Sequence, residues 1–100
     1  MKITLVCALG MSTSMLVDRM EKVAEEKAIN IQIEAHSVDE MEKQLATSDL
    51  ILLGPQIRYK QKELAEKAAE ANVPIAMINM KAYGTLNGEE ILEQALEILR

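Results

Sequence analysis

A single cysteine, Cys7, stands where the first apolar run of the chain ends. Residues 8–15, with sequence ALGMSTSM, have the character of a loop that closes onto the start of a helix. Backbone N–H groups and the positive end of a helix dipole meet at such a point, and together they bind phosphate. The same setting lowers the pKa of a thiol below its unperturbed value. This arrangement predicts a cysteine that carries a phosphoryl group.

The residues around Cys7 leave three interpretations open. A buried structural thiol at a strand end is the first, and a redox thiol is the second. The redox interpretation is weak because the chain has no second cysteine, which also excludes an internal disulfide. A nucleophile is favoured by Gly10, which permits close backbone approach, and by the hydroxyl side chains of Ser12, Thr13 and Ser14.

The spacing after Cys7 differs at one position from that of a phosphate-cleaving site. Low-molecular-weight tyrosine phosphatases carry C-x5-R-[ST], in which the arginine clamps the phosphate through two hydrogen bonds. Here Thr13 occupies the arginine position and Ser14 follows it. The sequence also offers no clear aspartate as a general acid. A phosphocysteine formed here is therefore expected to persist and to be handed on.

Composition predicts one domain, residues 1–100, with a modest apolar core. The formal charge of −5 argues against nucleic acid as a partner. The apolar stretch at the start is too short for a signal peptide, and no stretch has membrane-spanning length. With its single cysteine, the chain is expected in the reducing cytoplasm.

Apolar patterning alternates between strand and helix four times, which predicts an α/β fold with a parallel sheet. The predicted strands are residues 3–7, 29–36, 50–53 and 73–78, and the predicted helices are residues 12–28, 38–46, 59–71 and 88–99. In the first helix, an apolar stripe of Met15, Leu16, Met20 and Val23 is expected to face inward.

The strand patterns also predict their order. The third strand is fully aliphatic, as is typical of a central strand, whereas the second alternates and the fourth contains Pro74, which suit edges. The resulting order is 2-1-3-4, and right-handed crossovers place the first and last helices on one face and the middle two on the other. Ligands of such sheets bind between the carboxyl ends of strands one and three. Cys7 and the Gly54-Pro55-Gln56 loop should therefore meet there.

Three stretches carry a resemblance to a known family: CALGMSTS at residues 7–14, LLGPQI at residues 52–57, and Tyr83-Gly84 before the last helix. In these stretches the chain resembles the cytoplasmic IIB component of the sugar phosphotransferase system, in its lactose/cellobiose/chitobiose branch. The resemblance implies a flavodoxin-like or low-molecular-weight phosphatase-like three-layer sandwich.

The resemblance also implies a function and its partners. Cys7 would accept a phosphoryl group from a phosphohistidine of the IIA component and donate it to a sugar that enters through the membrane IIC component. The sugar would be a β-linked disaccharide such as cellobiose, chitobiose or lactose, and the chain would visit the inner membrane face through IIC. No cofactor or metal is implied. The implied phosphate cradle consists of the backbone amides of Ala8, Leu9, Gly10, Met11, Ser12 and Thr13.

A basic cluster of Arg58, Lys60 and Lys62 follows the Gly54-Pro55-Gln56 loop. Cations in the first turn of a helix oppose its dipole, typically by a few tenths of a kcal/mol each. The unfavourable placement suggests docking of a phosphorylated, acidic partner, although a solvated helix face is the plainer interpretation. Candidate partner contacts beyond this cluster are Met11, Gln56 and Tyr83.

Two further residues and two rival functions remain open. His36, the only histidine, is either a phosphorelay residue or a surface side chain, and Arg19 either extends over the core or contacts phosphate. The rival enzyme is a low-molecular-weight tyrosine phosphatase or arsenate reductase. The rival without catalysis is a flavodoxin-like binding module in which Cys7 is structural.

Overall fold

The computed structural model describes residues 1–8 and 13–100. Its strands form one parallel sheet in the order β2-β1-β3-β4, which confirms the order expected from the sequence. The strands are β1 (Lys2–Cys7), β2 (Gln32–Ser37), β3 (Leu50–Leu53) and β4 (Ile75–Met77). The two central strands are the most deeply buried, because each presents aliphatic side chains to helices on both faces.

The helices pack on both faces of this sheet. In the described residues they are α1 (Ser14–Glu26), α2 (Met41–Leu45), α3 (Gln61–Glu70), α4 (Met80–Gly84) and α5 (Gly88–Leu99). Short 3-10 segments, Val38–Glu40 and Pro55–Lys60, lead into α2 and α3. The sequence patterns missed α4, whose single turn is set by Asn79: its side-chain oxygen accepts a 2.9 Å hydrogen bond from the backbone N–H of Ala82.

The helices are divided between the two faces of the sheet as the crossover rule predicts. One core joins α1 and α5 to the sheet, and the other joins α2 and α3 to the opposite face. Gly88 lets α5 begin directly against α1, since a Cβ there would stand 2.7 Å from the carbonyl carbon of Arg19. This close contact holds α5 tightly against α1.

Several boundaries differ from the sequence expectation. The first helix ends at Glu26, because Ala28 adopts a left-handed φ of 56° that ends the helix before the second strand. The second strand accordingly begins at Gln32 rather than at residue 29. The third helix begins at Gln61 rather than at residue 59, since a 3-10 segment takes up the preceding residues. The fourth strand is shortened to Ile75–Met77.

The inward stripe of α1 is also shifted from the expected one. Met15, expected in the core, is 56% exposed, and the buried positions are Leu16, Val17, Met20 and Ala24. The helix is therefore rotated toward Val17, which leaves Met15 at the surface near the start of the helix. No helix among residues 1–8 and 13–100 is both long and apolar enough to cross a membrane.

Candidate functional site

Cys7 is the last residue of β1, and its side chain is 1% exposed. Gly54 follows β3 and extends the pairing of the central strands, because its N–H donates to the carbonyl of Val6 over 2.8 Å. A Cβ on Gly54 would lie 3.5 Å from the Cβ of Cys7. Cys7 and the Gly54-Pro55-Gln56 loop, which were expected to meet at the carboxyl ends of the central strands, do so at this point.

Thr13 joins the start of α1 to the cysteine. It occupies the position before the helix, is completely buried, and its hydroxyl donates to the Cys7 sulfur over 3.6 Å. The first turn of α1 carries no acidic residue. A sulfur at this place faces a hydroxyl donor and the positive end of a 13-residue helix, and both favour the thiolate.

Gln56 and Tyr83 close one side of this end of the sheet. The Gln56 side-chain amide donates a 2.7 Å hydrogen bond to the Tyr83 hydroxyl, which joins the segment after β3 to α4. Both residues line an open groove of about 480 Å³ together with Pro55, Arg58, Tyr59 and Met80. An open surface groove at this edge of the sheet suits contact with a large partner better than binding of an enclosed small ligand.

The chain matches one family model over residues 2–94, and that model is described as "PTS system, Lactose/Cellobiose specific IIB subunit". The chain belongs to this family. IIB components are phosphotransferases of the sugar phosphotransferase system and work with IIA and IIC partners.

Curated relatives agree with the family and differ in the sugar that their names give. The chain is 39% identical to the galactose-specific EIIB component of Lactococcus lactis subsp. cremoris, covering 97% of this chain and 94% of that protein. It is 38% identical to the cellobiose-specific EIIB component of Lactococcus lactis subsp. lactis, with the same coverage. It is 36% identical to the oligo-beta-mannoside-specific EIIB component of Bacillus subtilis, covering 98% and 95%.

Solved structures show the same fold. The cellobiose-specific IIB component of Borrelia burgdorferi matches with a TM-score of 0.82 and 45% identity, covering 97% of this chain and 89% of that one. The lactose-specific IIB domain of Streptococcus pneumoniae matches with a TM-score of 0.87, covering 97% and 95%. Its identity of 20% makes it evidence for the fold alone.

In this IIB chain, the implied phosphate cradle is described only at its two ends. Ala8 is exposed directly after β1, and Thr13 is buried against Cys7. The expectations for Leu9, Gly10, Met11 and Ser12 fall outside the described residues, as does the proposed contact of Met11 with a partner. Within the described residues, no group of three or more His, Cys, Asp or Glu side chains is arranged to hold a metal ion.

The basic cluster lies partly where the sequence placed it. Arg58 lines the groove with Gln56 and Tyr83, whereas Lys60 and Lys62 lie outside it. Arg58 and Lys60 belong to the last turn of a 3-10 segment, and only Lys62 lies in the first turn of α3. The argument from an opposed helix dipole therefore holds for Lys62 in the first turn of α3 and for Lys60 at its N-cap, and it is wrong for Arg58. Arg19 is exposed on α1.

His36 lies beside β1 in register with Val6, one residue before the Cys7 pair. Its Nε2 is 2.8 Å from Glu34 and its Nδ1 is 3.6 Å from Glu40. Since side chains alternate along a strand, it faces the side of the sheet opposite to Cys7. His36 is thus held between carboxylates and apart from the thiol.

Sequence reasoning missed three exposed apolar side chains at this end of the sheet. Met15, Tyr59 and Met80 follow β1, β3 and β4, and they are 56%, 75% and 63% exposed. Tyr59 and Met80 line the groove, and Met15 belongs to the start of α1. The sequence pattern did not indicate that these side chains are exposed. Met15 matched the apolar stripe that was expected to face inward, and α4, which carries Met80, was not expected.

Proposed function

We propose that this IIB chain is a phosphoryl carrier whose acceptor is Cys7. The thiolate attacks the phosphorus of a phosphohistidine on a IIA component, the P–N bond breaks, and the departing imidazole nitrogen keeps the electron pair and takes up a proton. A sugar hydroxyl held by IIC then attacks the same phosphorus, the S–P bond breaks, and the hydroxyl proton passes to a base or to solvent. The Thr13 hydroxyl beside the Cys7 sulfur, at the start of α1, is the observation that carries this proposal.

Two electrostatic features support a nucleophilic role for Cys7. The dipole of α1 stabilises the thiolate before transfer, and it stabilises the phosphoryl dianion that is bonded to the sulfur after transfer. The buried Thr13 hydroxyl donates to the sulfur, and a hydrogen bond to a charged acceptor is stronger than one to a neutral acceptor. Backbone amides of Ala8, Leu9, Gly10, Met11, Ser12 and Thr13 would complete the phosphate cradle.

A carrier fits these residues better than a phosphatase. Thr13 stands where the phosphatase pattern has arginine, and a neutral hydroxyl cannot replace a bidentate cation around a transferring phosphoryl group. Loss of one electrostatic donor of this kind commonly lowers a rate by about 100-fold or more. Hydrolysis of p-nitrophenyl phosphate by the wild-type chain should therefore be far slower than that of tyrosine phosphatases, and ordinary phosphatase turnover would contradict the carrier.

The face around Cys7 is proposed as the docking surface for IIA and IIC. Exposed Met15, Tyr59 and Met80 supply apolar contact, and methionine adapts to more than one partner surface. Basic and polar side chains beside them are suited to an acidic, phosphorylated donor; these are Gln56, Arg58, Lys60, Lys62 and Tyr83, with Met11 expected to join them. Residues 1–100 would act as one cytoplasmic domain that reaches the inner membrane face through IIC.

The acceptor sugar is proposed to be a β-linked disaccharide such as cellobiose, chitobiose or lactose. The family description and the cellobiose-specific relative support this class. Because the sugar would be bound by IIC, the choice among disaccharides is tested by phosphorylating a panel of them with the cognate IIC in vesicles. Transfer to monosaccharides only would contradict the proposed class.

The central experiment is incubation with a phosphohistidine-bearing IIA component, followed by mass spectrometry of the peptide that contains Cys7. An acid-sensitive adduct on Cys7 that passes its phosphoryl group to sugar when IIC is added supports the carrier. Rapid release of inorganic phosphate without IIC would instead indicate the phosphatase, and an unlabelled Cys7 would indicate a binding module. Cys7→Ser is the matched control, because its hydroxyl nearly preserves the shape of the site.

A further inference from the structure

The Cys7 side chain is 1% exposed, so a transfer partner reaches the sulfur only when the surrounding segments separate. The segment Pro55–Lys60 follows Gly54, whose N–H donates to the carbonyl of Val6, the residue before Cys7. A Cβ placed on Gly54 would stand 3.0 Å from Oε1 of Gln56 and 3.5 Å from the Cβ of Cys7. The side-chain carboxamide of Gln56 therefore folds back over Gly54, next to the cysteine.

The Gln56 side chain is held in that place by Tyr83, which packs on the face of the sheet covered by α1 and α5. Its amide donates to the Tyr83 hydroxyl over 2.7 Å, and the Tyr83 side chain packs against the core formed by α1 and α5. The residue after Gln56, Ile57, is completely buried in the core formed by α2 and α3. The Gln56–Tyr83 hydrogen bond thus joins the two layers across the carboxyl edge of β3 and β4.

We propose that Gln56 is a positioning residue whose hydrogen bond to Tyr83 holds the Pro55–Lys60 segment closed beside Cys7 and so controls access to the sulfur. The control of access concerns the thiol itself, and its consequence for a phosphocysteine rests on the proposed function. In the closed arrangement water reaches the phosphorus less often. Hydrolysis, in which a water oxygen bonds to phosphorus, the S–P bond breaks and the water proton goes to solvent, is thereby slowed until a partner opens the segment.

The first test is alkylation of Cys7 by iodoacetamide, in which an S–C bond forms and iodide leaves. Gln56→Ala and Tyr83→Phe should each raise the limiting alkylation rate at high pH by about three- to tenfold, the range expected when one hydrogen bond no longer favours the closed arrangement. The midpoint of the pH–rate profile should not move, because neither substitution touches the Thr13 hydroxyl. A shifted midpoint with an unchanged limiting rate would overturn the proposal.

The double variant tests whether Gln56 and Tyr83 act through one hydrogen bond. Once either partner is lost, loss of the other should change little, so Gln56→Ala/Tyr83→Phe should alkylate about as fast as the faster single variant. Rates that multiply would mean that the two residues act separately, and the proposal would fail.

Gln94→Ala is the matched control. The Gln94 amide donates to the carbonyl of Met77 over 2.8 Å and its oxygen accepts from the N–H of Asn79 over 3.1 Å, so this glutamine also secures the residues before α4. If Gln94→Ala accelerates alkylation as much as Gln56→Ala does, general loosening of α4 explains the effect and the proposal is wrong.

Gly54→Ala is a second way to move the Gln56 side chain from its place over residue 54. The backbone at Gly54, with φ of −66° and ψ of 145°, accepts alanine, and the nearest atom to the new Cβ is the movable end of Gln56. Alkylation should accelerate in this variant as well, while circular dichroism and the thermal midpoint show that it folds. An unchanged rate in folded Gly54→Ala and folded Gln56→Ala would refute the proposal.

The lifetime of the phosphocysteine then extends the test to the proposed function. In the absence of IIC, Gln56→Ala and Tyr83→Phe should release inorganic phosphate about three- to tenfold faster than wild type. If wild type accepts no phosphoryl group, the proposed function fails while the alkylation result still stands. If wild type is labelled and the variants lose phosphate no faster, the phosphocysteine arm of the positioning role fails alone.

Discussion

Cys7 and His36 are the two side chains of this protein that sequence reasoning considered as phosphoryl acceptors, and they stand on neighbouring strands. Cys7 pairs with Ser37, and His36 pairs with Val6, so the two candidates are offset by a single position. Their surroundings differ completely. Cys7 faces the Thr13 hydroxyl at the start of α1, whereas both ring nitrogens of His36 lie near the carboxylates of Glu34 and Glu40.

The difference shows that local electrostatics distinguishes two candidate nucleophiles that lie at nearly equivalent positions on neighbouring strands. A phosphoryl dianion at His36 would meet two carboxylates, and at Cys7 it would meet a hydroxyl donor and the positive end of a helix. The His36 ring holds the pKa of the Glu34 carboxyl below its usual value, and hydrogen bonds from Gln32 and the charge of Lys2 add to this. His36 therefore acts as a partner of a structural carboxylate.

Loss of the thiol should give the largest effect on phosphoryl acceptance. A small effect would contradict the comparison between Cys7 and His36. Cys7→Ser should abolish phosphoryl acceptance from IIA, because a serine hydroxyl is a far weaker nucleophile than a thiolate at neutral pH. His36→Gln, the matched variant, should retain acceptance at close to the wild-type rate. Label retained in Cys7→Ser and lost in His36→Gln would reverse the assignment.

Charge reversal at Lys60 and Lys62 tests whether the basic cluster attracts the phosphorylated IIA component toward Cys7. The double variant Lys60→Glu/Lys62→Glu should accept phosphoryl groups about tenfold more slowly at low ionic strength, with the difference fading as salt screens the charges. Transfer from IIA is measured across a salt series. The control is Lys27→Glu/Lys67→Glu, which changes the net charge equally but alters lysines paired with Glu89 and Glu93 and with Glu42. Equal slowing in the control would leave the basic cluster with no role in docking.

Removal of the hydroxyl beside the sulfur should have a smaller effect. Thr13→Val keeps the shape of the side chain, and iodoacetamide should then alkylate Cys7 about three- to tenfold more slowly at pH 7, because the thiolate loses a hydrogen bond. Thr4→Val is the matched control: Thr4 is equally buried, but its hydroxyl contacts Ser48 over 2.6 Å. The argument for an activated thiol fails if the two variants react alike.

The smallest expected effect lies at His36 and concerns stability. The lowered pKa of Glu34 means that its ionised form stabilises the folded state fully above the ordinary carboxyl value of 4.5, and that this stabilisation is lost as the pH falls through the lower folded-state value. Glu34→Gln should therefore reduce the thermal midpoint slightly near pH 6, and the difference from wild type should shrink toward pH 3. Glu21→Gln, on the exposed side of α1, provides the control in the same melting series. A difference that grows on acidification would contradict the pairing with His36.

Local patterns were sufficient for the sheet. Four consecutive aliphatic side chains marked β3 as central, and β1 ends in a similar run. The alternation in β2 and Pro74 before β4 marked the edges, so the strand order was predicted correctly. Patterns were insufficient where backbone geometry competes with periodicity. The left-handed turn at Ala28 ended α1 early, and the 3-10 turn at Pro55–Lys60 moved Arg58 away from the helix start where it was expected.

The sequence by itself determined the fold class, the strand order, the position of Cys7 at a strand end and the membership of the IIB family, because each depends on residues that are neighbours in the chain. Tertiary structure decided what surrounds that cysteine. The Gln56–Tyr83 hydrogen bond spans 27 positions in sequence, and the exposed Met15, Tyr59 and Met80 follow three different strands. Such contacts arise only when the carboxyl ends of parallel strands converge at one edge of a sheet, which no local pattern encodes.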